Sequence, residues 1–282
     1  MRSLNGLRAA AALGAVAAGL AGSAALADHA WSTYHLQTVD KIATPLVEDN
    51  TTGAWKPRVA LAMQDWNASA HIESTVTSGT TNAKRCPMSS GTIQVCNAAY
   101  GQNGWLGIAT ISISGGHIVA GSTKLNDTYF AWPQYDTEDW KQLVACQEIG
   151  HDYGLGHQNE DFDTDVTQSC MEYTRLPDGN THPDQHDYDQ LAAIYDHGEG
   201  STGGGGGGGP GGGNGGGKGK PLGIEPGNSP ADWGRPIGKD AAGRDNEYIR
   251  NFNGYTVITH VTWVPGEQRG PRTHSGDIHF GD

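Results

Sequence analysis

One short stretch near the middle of the chain, Q-E-I-G-H-D-Y-G-L-G-H, restricts the possible folds more than any other feature of the sequence. Read as a helix, it places Gln147 and His151 four residues apart on one face, with Glu148 beside them. Gly154 then suits the left-handed conformation that ends a helix, so that the chain turns back and delivers His157. Two imidazoles and a carboxylate at this spacing suit a zinc ion and an activated water. The stretch therefore predicts a metal site built on one helix and the turn after it.

With histidine at position 147, the stretch would match the zinc-protease pattern H-E-x-x-H-x-x-G-x-x-H, and it resembles the active-site helix of metzincin metallopeptidases. A second motif carries the same resemblance. Ser169 to Tyr173 reads S-C-M-E-Y, the S-x-M-x-Y form of the Met-turn in astacin- and serralysin-like members. The resemblance implies that Met171 forms a hydrophobic floor below the metal and that Tyr173 reaches toward the metal.

The resemblance implies a zinc-dependent endopeptidase whose metal ligands are His151, His157 and Gln147. Glu148 would act as the general base, and the hydroxyl of Tyr173 would hydrogen-bond the oxyanion. The departure from the pattern falls on a metal ligand, because the first histidine is replaced by Gln147. A neutral amide is a weaker zinc ligand than imidazole, so we expect a lower affinity for zinc.

This departure leaves two interpretations open. In the first, the amide oxygen of Gln147, a water or an acid such as Asp161 fills the third ligand position, and the protein cleaves peptide bonds. In the second, the chain is a catalytically impaired pseudoprotease that binds peptide or metal without cleaving. The presence of Glu148, both histidines and the S-x-M-x-Y turn favours the enzyme.

The four cysteines of the chain predict two disulfides, because the sequence also indicates export. Cys86 and Cys96 flank a loop that contains proline and glycine, which predicts a local bridge. The resemblance implies the second pair, Cys146 with Cys170, since it places the active-site helix in contact with the Met-turn. A thiolate ligand is the rival role for Cys146, but one residue along a helix turns it about 100° away from Gln147.

Residues 1–27 resemble a secretory signal, with two arginines, an Ala/Leu/Gly-rich core and an A-L-A cleavage site before Asp28. We therefore expect a secreted protein that is not attached to a membrane after cleavage. The formal net charge of −13 would repel nucleic acid and anionic membranes and favour divalent cations. We expect a monomer whose partner is a protein or peptide substrate.

A calcium site is a weaker interpretation of the acidic residues that follow the zinc motif. Asp161, Asp163, Asp165 and Glu172 fall at the first, third, fifth and twelfth places of a calcium loop. The sixth place holds Val166 where such loops need glycine. Chance in an acidic region is therefore favoured, and a calcium site of another geometry stays open.

The chain as a whole predicts an α+β fold, with a metzincin-like domain at residues 28–197 built on a mixed, twisted sheet. Trp105–Ile113 and His117–Leu125 alternate like paired strands around a Gly-Gly turn, and the resemblance implies that one of them is the edge that pairs with extended substrate. A glycine-rich linker follows at 198–220. The tail, 221–282, is either disordered or a small β-module, in which Asn253-Gly254 predicts a hairpin.

Overall fold

The structure, a computed structural model, describes residues 29–165, 167–197 and 219–266. The predicted signal sequence and residues 198–218 of the predicted linker lie outside the described residues. Within these ranges, none of the helices combines the length and the hydrophobicity that crossing a membrane requires.

The described residues form eleven strands and five helices. The strands are β1 His35–Leu36, β2 Thr38–Val39, β3 Ile42–Ala43, β4 Leu46–Asp49, β5 Thr75–Ser78, β6 Thr92–Ala98, β7 Trp105–Ser114, β8 His117–Asn126, β9 Arg235–Lys239, β10 Asp245–Phe252 and β11 Tyr255–Trp263. The helices are α1 Trp55–Trp66, α2 Asp127–Phe130, α3 Glu138–Asp152, α4 Gln185–Tyr195 and α5 Pro230–Trp233.

One mixed sheet organises the molecule, with the strand order β5-β4-β6-β8-β7-β11-β10-β9 and with β1 pairing separately to β8. Strands β5, β4, β6 and β8 run parallel to one another, and β7 is antiparallel to β8. The predicted α+β class with a mixed sheet therefore agrees with the structure. The two strands predicted around the Gly-Gly turn are β7 and β8.

Helices α1 and α3 pack together against the sheet and form the largest hydrophobic core with residues of β4, β6, β7 and β8. Helix α1 begins at Trp55 and ends at Trp66. Asn67 stops it by exchanging hydrogen bonds with the backbone of Ser74, at 2.8 and 3.0 Å. These bonds turn the chain back toward the sheet, where β5 begins at Thr75.

Both predicted disulfides are confirmed. Cys86 is bonded to Cys96, and Cys146 on α3 is bonded to Cys170. Within the described part of the chain no cysteine is free. The second bridge ties the helix with the zinc-like motif to the turn that carries Met171.

The tail continues the same sheet instead of forming a separate unit. The predicted Asn253-Gly254 turn joins β10 to β11, and both residues have the positive φ angles, 49° and 85°, that such a turn needs. Strand β11 pairs antiparallel with β7 along almost its whole length. The residues after the glycine-rich stretch therefore complete the sheet beside α3.

Candidate metal centre

Helix α3 packs closely against the sheet because glycine residues of the sheet face it. Thr137 caps its first turn by accepting from the backbone N–H of Trp140, and every residue from Trp140 to Asp152 is buried. A Cβ atom at Gly107 of β7 would lie only 2.4 Å from Oε1 of Glu148. Because Gly107 has no Cβ, the carboxylate of Glu148 can pack directly against β7.

The turn after α3 returns His157 to the helix. Gly154 has φ of +91°, and a Cβ there would also meet the carbonyl oxygen of Tyr34 at 2.6 Å, so glycine is required. Nδ1 of His151 lies 2.7 Å from the carbonyl oxygen of Leu155, within the same turn. As a result, Nε2 of His151 and Nε2 of His157 are 3.1 Å apart.

A third imidazole joins this pair from the tail. His260 on β11 lies with its ring centroid 4.2 Å from that of His151 and 4.4 Å from that of His157. One ring nitrogen of each histidine lies within 4.8 Å of the other two. In the part of the chain that the structure describes, no other three or more His, Cys, Asp or Glu side chains converge with this spacing.

The contacts of the ring nitrogens and the pKa values of two of the three rings suit metal binding. A carbonyl oxygen can only accept, so Nδ1 of His151 carries the proton toward Leu155 and Nε2 keeps its lone pair when the ring is neutral. Nδ1 of His157 faces Oε1 of Glu160 at 3.3 Å, an arrangement that orients metal-ligating histidines. Burial, followed by the neighbouring histidines, lowers the pKa of His151 and of His260 well below its usual value. Neutral imidazoles are the form that coordinates metals.

His260 provides the structural test of whether a metal fits. Its side chain is buried, and neither ring nitrogen has a hydrogen-bond partner among the described residues. A buried polar group without a partner costs about 1–3 kcal/mol, which coordination to a metal would remove. Three nitrogen donors at this spacing are a donor set that zinc prefers. The residues present therefore fit a zinc ion.

Glu148 is fully buried on α3, three residues before His151. Neither of its carboxylate oxygens has a hydrogen-bond partner within the described ranges. Burial raises the pKa of Glu148 well above its usual value, and the carboxylate of Asp152 adds to the shift. The hydroxyl of Thr262 opposes the shift, but its proton is donated to Gln147. A carboxyl group tuned in this way is suited to proton transfer, and a nearby cation would favour its ionised form.

Tyr173 and Met171 both lie beside the cluster. The ring centroid of Tyr173 is 4.2 Å from that of His157, and its hydroxyl donates to the carbonyl oxygen of Val261 at 3.1 Å. Met171 is buried against α3, where a Cβ at Gly150 would meet its sulfur at 2.6 Å. Tyr173 therefore contacts a candidate ligand, while its hydroxyl is engaged by the backbone of β11.

Gln147, the sequence-predicted third ligand, has a different set of contacts in the structure. Its Nε2 donates to the carbonyl oxygens of Cys170 and Glu172 at 2.9 and 3.2 Å. Its Oε1 accepts from the hydroxyl of Thr262 at 2.8 Å. Both ends of the amide are therefore occupied, and the third imidazole is His260. We note that no local motif surrounds His260, and only its position in an alternating strand after an Asn-Gly turn could have drawn attention to it.

The acidic loop after His157 is held by ordinary protein contacts. Oδ1 of Asp161, the alternative third ligand, accepts from the backbone N–H of Asp163 at 2.9 Å, and the cluster does not include Asp161. Asp163 also pairs with Arg175, and the buried Glu172 accepts from Asn159. Calcium binding by this loop stays a prediction.

No protein-family model matches the sequence, and no curated protein matches it either. Solved structures to which this chain is similar include a hatching enzyme zinc-protease, high choriolytic enzyme 1 from Oryzias latipes (medaka fish), with a TM-score of 0.32, 11% identity and coverage of 58% of this chain and 95% of that chain. Two structures of myroilysin also match, each 13% identical and covering 55% of this chain, with TM-scores of 0.32 and 0.31 and coverage of 94% and 84% of those chains. At this level of similarity a shared activity does not follow, and the residues of the site carry the functional proposal.

Proposed function

We propose that this protein is a secreted zinc-dependent endopeptidase that uses His151 and His157 as metal ligands and Glu148 as general base. The observation that supports this proposal is the convergence of three imidazoles, two of them buried with lowered pKa values, next to the helix that carries the buried carboxyl group of Glu148, which has no hydrogen-bond partner among the described residues. Such a combination costs folding free energy and is typical of functional sites. A zinc ion bound there would polarise a scissile carbonyl and lower the pKa of a water.

The side chains around the cluster support the roles that hydrolysis requires. Glu148 would take the proton of the attacking water and deliver it to the leaving amine. The hydroxyl of Tyr173 would donate to the oxyanion once its hydrogen bond to Val261 is released. The third ligand is His260 in the arrangement described, and Gln147 is the candidate wherever β11 withdraws from the site.

Export is supported by two features of the chain. The first 27 residues have the composition of a cleavable signal, and both cysteine pairs form disulfides, which persist in oxidising compartments. We therefore propose that the protein acts on extracellular protein or peptide substrates.

Metal analysis combined with a chelator-controlled protease assay tests the proposal. Purified wild type should contain about one zinc per chain, and cleavage of casein should cease on chelation and return on adding zinc. Glu148→Gln should lose cleavage and keep its zinc. Glu138→Gln is the matched control, because this exposed acid lies on the same helix and faces away from the cluster toward Arg58. A chain that contains no zinc, or a Glu148→Gln variant that retains the chelator-sensitive cleavage measured for wild type, would contradict the proposal.

A second function, metal binding without catalysis, is favoured by the burial of the cluster. Strand β11 covers it on the sheet side, and Trp31 stacks on the rings of His151 and His260 at centroid distances of 5.3 and 5.9 Å. A site closed in this way stabilises a fold but admits no substrate. Zinc bound at full occupancy, with no cleavage that depends on Glu148 in any variant, would support this pseudoprotease function.

A further inference from the structure

The outer edge of β7 is the place where the tail meets the candidate site. Among the sheet strands that precede the glycine-rich stretch, β7 lies at one edge. Strand β11 pairs with this edge, from Thr256 opposite Ile113 to Trp263 opposite Trp105. An open edge of this kind binds extended peptides by main-chain hydrogen bonds in many proteins. In this structure, β11 of the same chain occupies the edge of β7.

The register of β11 shows what a chain at this edge would meet. Side chains alternate along a strand, so His260 and Thr262 point to the same face of the sheet. His260 enters the histidine cluster, and Thr262 lies opposite Gly107, the residue against which the carboxylate of Glu148 packs. Any extended peptide paired with β7 in this register would pass directly over the histidines and Glu148.

We propose that residues 219–266 form an inhibitory segment that occupies, within the same chain, the site where an extended peptide substrate pairs with β7. This inference rests on the proposed peptidase function. In the closed form His260 takes a ligand position on the metal. Withdrawal of β11 vacates that position for substrate and water.

Three contacts join β11 to groups of the candidate site. His260 lies in the cluster, the carbonyl oxygen of Val261 accepts from the hydroxyl of Tyr173, and the hydroxyl of Thr262 donates to Oε1 of Gln147. One withdrawal would release all three at once. His151, His157 and Gln147 would then remain as protein ligands, with one coordination position open, as in catalytic zinc sites.

The tail is anchored by contacts that lie away from the site. Trp233 is buried in a cluster with Trp105, Tyr248 and Trp263 on the opposite face of the sheet. The buried Lys124 of β8 donates to the carbonyl oxygen of Gly227 and to Oδ1 of Asn228 at 2.9 and 3.1 Å. Because these anchors are separate from the candidate ligands, docking can be weakened without changing a residue of the site.

The test compares a loosened and a locked form of the full-length protein. Trp233→Ala should loosen the segment, and Ile237→Ala is its control because Ile237 is an exposed hydrophobic residue of the same segment. Thr110→Cys with Thr259→Cys should lock it, since the two hydroxyls are 3.1 Å apart on paired strands. Thr259→Cys alone is the control for the lock.

Two measurements apply to every variant, with zinc bound and after its removal. The first is amide hydrogen exchange in residues 105–114 and 245–263. The second is the affinity, by fluorescence anisotropy, for an extended peptide carrying a hydroxamate, which needs both the β7 edge and the metal. Trp233→Ala should accelerate exchange in both segments and bind the probe on the order of 100-fold more tightly than wild type. The locked form should exchange slowly and bind no probe.

The outcomes separate this proposal from the proposed function. If wild type and the locked form bind the probe as tightly as Trp233→Ala does, the segment does not occlude the site and the inhibitory role is wrong. If Trp233→Ala does not fold, the comparison of the locked form with Thr259→Cys still decides: equal probe binding overturns the proposal, and weaker binding by the locked form supports it. If Trp233→Ala binds zinc and the probe but cleaves no peptide, occlusion stands and the peptidase function fails.

Discussion

The hydroxyl of Thr262 donates a 2.8 Å hydrogen bond to Oε1 of Gln147, and it does so from the strand that carries His260. The same amide donates to two backbone carbonyl oxygens, those of Cys170 and Glu172. A neutral imidazole has one donor and one acceptor and could not make all three bonds. The structure therefore couples glutamine at position 147 to the presence of β11, which brings its own histidine to the cluster.

Replacing His260 should weaken metal binding. His260→Ala removes one of three converging imidazoles, and we expect zinc affinity to fall by at least about 10-fold, because even the loss of a residue that only orients a metal ligand costs that much. Competition with a chromophoric chelator measures the affinity. His71→Ala is the control, since His71 lies outside the cluster and hydrogen-bonds the carbonyl oxygen of Lys41. Equal affinities for the two variants would remove His260 from the metal site.

Gln147→His should affect zinc affinity differently in the wild-type and His260→Ala backgrounds. In the wild-type background it breaks the hydrogen bonds of a buried amide, and we expect a loss of about 1–3 kcal/mol in the free energy of unfolding with little gain in zinc affinity. In the His260→Ala background it should restore much of the lost affinity, because the helix already places position 147 beside His151. A double-mutant cycle on zinc affinity measures this coupling. Additive effects would show that the two positions do not share a metal.

Local spacing explains why much of the site could be predicted from the sequence. Gln147, Glu148 and His151 are fixed by the geometry of one helix, and Gly154 determines how the chain returns with His157. The Asn253-Gly254 hairpin could also be predicted from the sequence, because its turn needs only two residues with positive φ. These features depend on contacts between residues close in sequence.

His260 could not be predicted because it reaches the cluster through strand pairing across a long separation. The sequence shows that β10 and β11 form a hairpin but not which sheet edge they join. That choice depends on β7 having an unfilled edge and on packing of Trp233 against Trp105. The pairing then sets the register that brings His260 opposite Ala109 and next to α3.

The two disulfides should differ in their effect on the metal site. Removing either pair by Cys→Ala substitution should lower the free energy of unfolding by about 3 kcal/mol, since the cost depends only logarithmically on the sequence separations of 10 and 24 residues. Only loss of Cys146–Cys170 should also weaken zinc binding, because that bridge joins α3 to the turn bearing Met171. Denaturant unfolding and zinc titration of both double variants check this. Equal zinc affinities would mean that packing alone positions the turn.

Asp187 should make the protein less stable as the pH rises from about 4 to about 6. It lies in α4 and accepts from the hydroxyl of Ser169 at 2.5 Å, and this hydroxyl accepts from the backbone N–H of Met171. Burial raises the pKa of Asp187 from 3.8 to about 6, against the opposing hydrogen bonds from Ser169 and Gln158. Between these two values the unfolded chain loses its proton while the folded chain keeps it. The contribution of Asp187 to stability should therefore fall with rising pH across this window, by up to about 3 kcal/mol, and level off above it.

Asp187→Asn tests this expectation, because an amide of the same shape cannot ionise. Denaturant unfolding between pH 4 and pH 7, with chelator present so that metal release does not contribute, should give a shallower decline for the variant than for wild type. Glu247, whose pKa burial also raises to about 6, accounts for a decline that both proteins share. Asp189→Asn removes an exposed charge from the same helix and should keep the wild-type slope. If Asp187→Asn and wild type decline in parallel, Asp187 titrates with an ordinary pKa and the link between α4 and the Met171 turn does not depend on its protonation.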